Sequence, residues 1–110
     1  MTVIGDVDGK SVILVDDEVD TAGSMSGAVN ILKASGAGDI YLCFTHPLLS
    51  PPAIDRLRAL PIKEIITTNS VPLPPEKRLP NITVLSVAPL LSEVILRTHE
   101  GMSVGQMFNE

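Results

Sequence analysis

Tryptophan is absent, and two Phe and one Tyr are the only aromatic residues among 110. A core with so few rings must be aliphatic, and 45% of the residues are hydrophobic. Val, Ile and Leu at this density suit the buried strands of a parallel sheet. A single cysteine, Cys43, excludes an internal disulfide framework and fits a reducing compartment such as the cytoplasm. No apolar run approaches the roughly 20 residues that span a bilayer, and no signal-peptide pattern opens the chain, so the sequence points to no membrane segment. Basic residues are scarce as well: 8 against 13 acids, for a net charge of -5. That balance argues against non-specific nucleic-acid binding. It leaves a phosphate ligand open, because main-chain amides and a bound cation neutralise phosphate without a basic patch. Neither a Gly-x-Ser-x-Gly elbow nor a Walker lysine motif occurs. Cys43, His46 and His99 lack the spacing of zinc ligands.

Against these absences stands one run, Val12-Ile13-Leu14-Val15-Asp16-Asp17-Glu18-Val19-Asp20-Thr21-Ala22-Gly23-Ser24. An apolar, β-branched stretch ends in carboxylates, and small and hydroxyl residues follow before an apolar helical pattern. A strand, an acidic turn, a Gly-containing loop and a helix start together make a geometry that can hold a sugar phosphate. Loop amides and the Thr21 and Ser24 hydroxyls can ring the phosphate. Asp16 and Asp17 can accept hydrogen bonds from ribose hydroxyls or hold a hydrated cation.

The rest of the chain reads as alternating elements in one small domain. Residues 11–15, 39–45, 63–68 and 82–87 have the composition of strands. Gly23 to Ser35 is a helix with Met25, Ala28, Val29 and Leu32 on its buried stripe, and Gly36 takes the positive φ of a C-terminal cap. A second helix starts at Ser50-Pro51-Pro52, with the Ser50 hydroxyl as cap. It uses Ile54, Leu57 and Leu60 as its apolar face, and Pro61 ends it. Val71 to Pro80 holds four prolines and must be a loop. A last helix begins at Ala88-Pro89, carries Leu91, Val94, Ile95 and Thr98 on one face, and closes at Gly101. Ser103 to Gln106 has capping-box spacing for one further turn. The order implies an open α/β fold, a mostly parallel sheet flanked by helices, with its first strand at an unpaired edge.

The acidic run resembles the phosphoribosyl-pyrophosphate signature of the type I phosphoribosyltransferase fold. Thr45-His46-Pro47-Leu48-Leu49-Ser50, Thr67-Thr68-Asn69-Ser70-Val71-Pro72-Leu73, the stretch from Val84 to Leu91 and the ending His99-Glu100-Gly101-Met102-Ser103-Val104 resemble the ribose-phosphate pyrophosphokinases, or phosphoribosyl pyrophosphate synthetases. The similarity extends from about Gly5 to the last residue and covers only the C-terminal portion of that family. It implies that residues 1–110 are the C-terminal portion of a phosphoribosyltransferase-like domain, itself incomplete. The N-terminal domain supplying much of the ATP site, and the basic catalytic loop, would lie outside this chain. It further implies transfer of the pyrophosphoryl group of ATP to ribose 5-phosphate, with magnesium, to give phosphoribosyl pyrophosphate and AMP in nucleotide biosynthesis. ATP would be a partner only together with the missing portion, and the full-length protein would be a homo-oligomer. This chain alone would be inactive. The alternatives are a non-catalytic regulatory homologue that binds synthetase subunits, or another type I phosphoribosyltransferase.

By this resemblance the ribose 5-phosphate site comprises Asp16, Asp17, Asp20, Thr21, Ala22, Gly23 and Ser24, with Asp16 and Asp17 also the metal ligands. Ala22 and Gly23 allow close approach of the phosphate, and the Asp20 carboxylate shapes the loop. Glu18 replaces an apolar residue; it is either solvated or weakens phosphate binding. Ser103 and Phe108 match positions near an allosteric nucleotide or phosphate site, although Gly105 stands where regulated members often carry a second serine. Ser103 reads equally well as a helix cap. His46 suits a bond to a loop carbonyl, and His99 suits a helix C-terminus. Thr67 to Ser70 either satisfy loop backbone or line the cleft.

Overall fold

The computed structural model describes residues 1–109. Four strands, β1 (Val12–Val19), β2 (Ile40–Pro47), β3 (Glu64–Thr68) and β4 (Ile82–Leu85), form one sheet in the order β1-β2-β3-β4. Every neighbouring pair is parallel, so each connection must cross back over the sheet. Helices α1 (Gly23–Ala34) and α2 (Ala53–Ala59) make the first two crossovers, and the proline-rich loop with a 3-10 turn at Pro75–Lys77 makes the third. β1 lies at the edge, as its sequence position implies.

Strand alternation divides the sheet into two unlike faces. Ile40, Leu42, Phe44 and Ile65 point to the helix side and are buried, against Met25, Val29 and Leu32 of α1 and Ala53 and Leu57 of α2. Leu73 and Leu79 from the proline-rich loop complete this aliphatic core. Ala28, expected on the buried stripe of α1, is only half-buried. The other face is open: Ile13 is 65% exposed and Val15 77%. Helix α3 (Ala88–Glu100) has no buried residue, and Leu91 and Ile95 of its expected apolar face are exposed. Its partly buried Arg97 holds Glu93 at 2.8 Å and the Ser103 carbonyl at 2.9 Å, tying the helix to its own C-terminal turn at Gly105–Phe108. Among the described residues no helix is long and apolar enough to cross a membrane.

Helix ends follow the sequence at one terminus and depart from it at another. Gly36 has φ 88°, its amide donates to the Lys33 carbonyl, and the Ala37 amide donates to the Leu32 carbonyl. These two bonds close α1 as a Schellman motif. A Cβ at Gly36 would also collide with the Asp8 carboxylate. Gly36→Ala is therefore expected to destabilise the protein by about 1–2 kcal/mol through the left-handed backbone alone, measured as a lower thermal midpoint. At α2 the Ser50 hydroxyl does not cap. Instead the Ser50 carbonyl accepts the Ala53 amide at 2.9 Å and Pro52 occupies the cap position, because prolines carry no amide for a side chain to satisfy. Ser103 likewise makes no side-chain cap for the final turn.

Candidate functional site

The carboxylates lie inside β1, not in a turn after it. β1 runs four residues beyond the expected end because β2 is itself long enough to pair with it there: Asp16 stands beside Phe44, Glu18 beside His46 and Val19 beside Pro47. At this free edge the acids also satisfy backbone. The Asp17 amide donates to Asp16 Oδ1 and the Glu18 amide to Asp17 Oδ1, each at 2.8 Å. The hydrogen bond with the Asp16 side chain, then the amides of Glu18 and Asp17 itself, hold the Asp17 carboxyl below the usual carboxylate range, with a smaller contribution from the His46 charge. Asp17 is therefore ionised at neutral pH.

A cavity of about 180 Å³ opens at this end of the sheet, lined by Asp16, Glu18 and the whole run from Val19 to Met25. Asp20, Thr21, Ala22, Gly23 and Ser24 are thus brought together with Asp16. Asp17 does not line it, because alternation along β1 sends adjacent acids to opposite faces. Glu18, the departure from the family signature, does line it and adds a carboxylate to the wall. The chain turns into α1 at Ala22, which is buried and has φ 64°, a left-handed conformation for a residue with a side chain. The first helical bond runs from the Ser26 amide to the Ala22 carbonyl at 3.0 Å, with the Ser26 hydroxyl on the same oxygen at 2.7 Å. No side chain caps α1. The amides of Gly23, Ser24 and Met25 precede that first bond and have no intrahelical acceptor. They are donors available to an anion, reinforced by the helix dipole.

Sequence reading missed one residue here. Arg56 of α2 reaches the loop, and its Nη1 donates to the Thr21 carbonyl at 2.9 Å. The pair is 35 residues apart in sequence, and no local pattern links them. A Cβ at Gly23 would stand 3.4 Å from Arg56 Nη1 and 3.9 Å from Thr21 Oγ1, both ordinary contact distances. The face of Gly23 that lacks a side chain is turned toward the Arg56 guanidinium.

His46 is bonded through Nδ1 to the Ser70 hydroxyl at 2.7 Å, not to a loop carbonyl. Ser70 Oγ and Thr68 Oγ1 both donate to the Thr45 carbonyl, at 3.1 and 2.7 Å. With its proton used there, Ser70 accepts from His46 Nδ1–H. Asn69 Oδ1 accepts the Val87 amide at 2.9 Å. Asn69, Ser70 and Thr68 thus satisfy backbone groups, those of Val87 and of Thr45 in β2, while Thr67 and Thr68 also border a second hollow of about 140 Å³ over the open sheet face, which Asp16 shares. Ser103 and Phe108 are exposed near the C-terminal turn beyond α3. Among the described residues no group of three or more His, Cys, Asp or Glu side chains is arranged to hold a metal.

Comparison with known proteins places this geometry among relatives. Residues 1–109 match the model of the phosphoribosyl synthetase-associated domain. The chain is 56% identical over 108 residues to a ribose-phosphate pyrophosphokinase of Caldanaerobacter subterraneus subsp. tengcongensis, covering 98% of this chain and 34% of the relative. It is 47% identical over 109 residues to the enzyme of that name from Bacillus subtilis, covering 99% and 34%. Its fold superposes on the crystal structure of phosphoribosylpyrophosphate synthetase from Mycobacterium smegmatis with a TM-score of 0.87 at 47% identity, covering 89% of this chain and 33% of that one. The chain thus spans about a third of the length of the curated relatives it matches.

Proposed function

Because the chain belongs to the phosphoribosyl synthetase-associated domain family, we propose that it forms the ribose 5-phosphate-binding part of a ribose-phosphate pyrophosphokinase. The observation that carries this reading is the cavity whose wall combines the uncapped start of α1 with the carboxylates of β1. Phosphate takes the amides of Gly23, Ser24 and Met25 and the hydroxyls of Thr21 and Ser24. The furanose lies toward the strand, where Asp16 accepts from its hydroxyls. In the reaction implied, the 1-oxygen of the sugar attacks the β-phosphorus of ATP. The bond from that phosphorus to the α–β bridging oxygen breaks, AMP leaves with the electron pair, and the hydroxyl proton passes to solvent or a base on the donor side. The contribution of this chain is positioning. ATP contacts belong to the remaining two thirds of the relatives' length.

The acids fit a hydrated magnesium ion only in part. Asp16 and Asp17 each engage Oδ1 with the next amide, leaving one oxygen apiece. Magnesium commonly binds through one or two carboxylates plus water and substrate oxygens. Asp16 would hold the ion from the cavity side, while Asp17 lies on the opposite strand face. When bound, the ion neutralises charge on the phosphoryl oxygens.

Titration of the labelled chain with ribose 5-phosphate and magnesium, followed by NMR, tests the reading. The amides of Ala22, Gly23 and Ser24 are expected to shift. Shifts confined to other regions would overturn the assignment.

A further inference from the structure

The phosphate loop is held from behind by a cation that the signature does not contain. Arg56 lies outside the cavity lining, yet its guanidinium fixes the Thr21 carbonyl at 2.9 Å. In a planar trans peptide the carbonyl and the following N–H point in opposite directions. A Thr21 carbonyl drawn toward α2 therefore turns the Ala22 amide away from α2, at a residue that lines the cavity. The left-handed φ of Ala22 then leads the chain directly into the α1 amides.

The electrostatic setting gives the same residue a second task. Asp16, Glu18 and Asp20 all border the cavity, so an entering phosphate meets three carboxylates. Among the described residues Arg56 has no carboxylate partner within salt-bridge distance, whereas neighbouring Arg58 pairs with Asp55 at 3.6 Å. The Arg56 charge is therefore left to act on the loop.

Resting on the reading of this cavity as a sugar-phosphate site, we propose that Arg56 is a positioning residue for the phosphate loop. It locks the Thr21–Ala22 peptide with the Ala22 amide toward the ligand and offsets the acidic wall.

The test compares the wild-type chain with Arg56→Gln, Arg56→Lys and Arg58→Gln by calorimetric titration with ribose 5-phosphate and by NMR of the free proteins. Arg56→Gln is expected to weaken binding about tenfold or more, as for loss of a charged hydrogen bond. Arg56→Lys is expected to restore much of the affinity, and Arg58→Gln to leave it unchanged. The Ala22 amide of free Arg56→Gln is expected to shift and exchange faster while β2 and β3 resonances stay in place. Undiminished affinity in Arg56→Gln overturns the proposal. Shifts spread across β2 and β3 do so too, since they would assign Arg56 to the fold. If the wild-type chain takes up no ribose 5-phosphate, the sugar-phosphate reading has failed and the loop lock is judged on the free proteins. There, an unchanged Ala22 amide in Arg56→Gln rejects the lock, and a local change upholds it.

Discussion

Pure chain supplied with ATP, ribose 5-phosphate and magnesium is expected to form AMP at less than about one thousandth of the rate of a complete relative. Pyrophosphoryl transfer depends on placing donor and acceptor in line and neutralising phosphate charge. In related phosphoryl transfers a single arginine contributes about 10³–10⁵-fold. The cavity here has no aromatic or basic side chain in its lining, and Arg56 is engaged with the loop backbone. On the proposed reading the acceptor is held and the donor is not. A coupled assay of AMP release on material free of host synthetase decides it. Turnover like that of a full-length relative would mean that the donor site is contained in these 110 residues.

Leu42→Ala is expected to have the largest effect on stability. Leu42 is fully buried on β2, flanked by Leu14 of β1 and Ile65 of β3. Removing a buried leucine side chain typically destabilises by about 2–5 kcal/mol, against a total of about 5–15 kcal/mol for a domain. A large part of the stability is therefore at stake. By contrast Val15→Ala, on the same sheet but on the open face, is expected to stay within about 0.5 kcal/mol. Denaturant melts of both variants check the pair. Equal losses would mean that the open face is covered in solution.

Apolar periodicity predicts the strand and helix order, because alternation and the 3.6-residue stripe are local properties. The Gly36 and Gly101 caps are legible for the same reason, as each needs only a positive φ. The length of β1 is not local. Whether Asp16 to Val19 continue as strand depends on pairing with residues 44–47, and three acids in a row read as a turn until that partner is known. The same pairing decides that Asp16 and Glu18 share the cavity wall while Asp17 does not. Residues 20–24 line one cavity together, since the turn into a helix is encoded where it occurs. Arg56 escapes because its partner is a backbone carbonyl 35 residues away, and carbonyls carry no signature. The apolar face of α3 reads like any buried face. Amphipathicity shows that a helix seeks cover, not that cover lies within the same chain.

The sequential strand order bears on how the chain is made. Each strand joins the free side of the one before it, so pairing can follow synthesis from the N-terminus, at about 5–20 residues per second. The last buried apolar residue is Leu79, with Ile82 and Val84 packed against the core after it. Everything that closes the interior is therefore translated before the first turn of α3. The helix that comes last adds no buried residue to that interior, so completing the core does not wait for it.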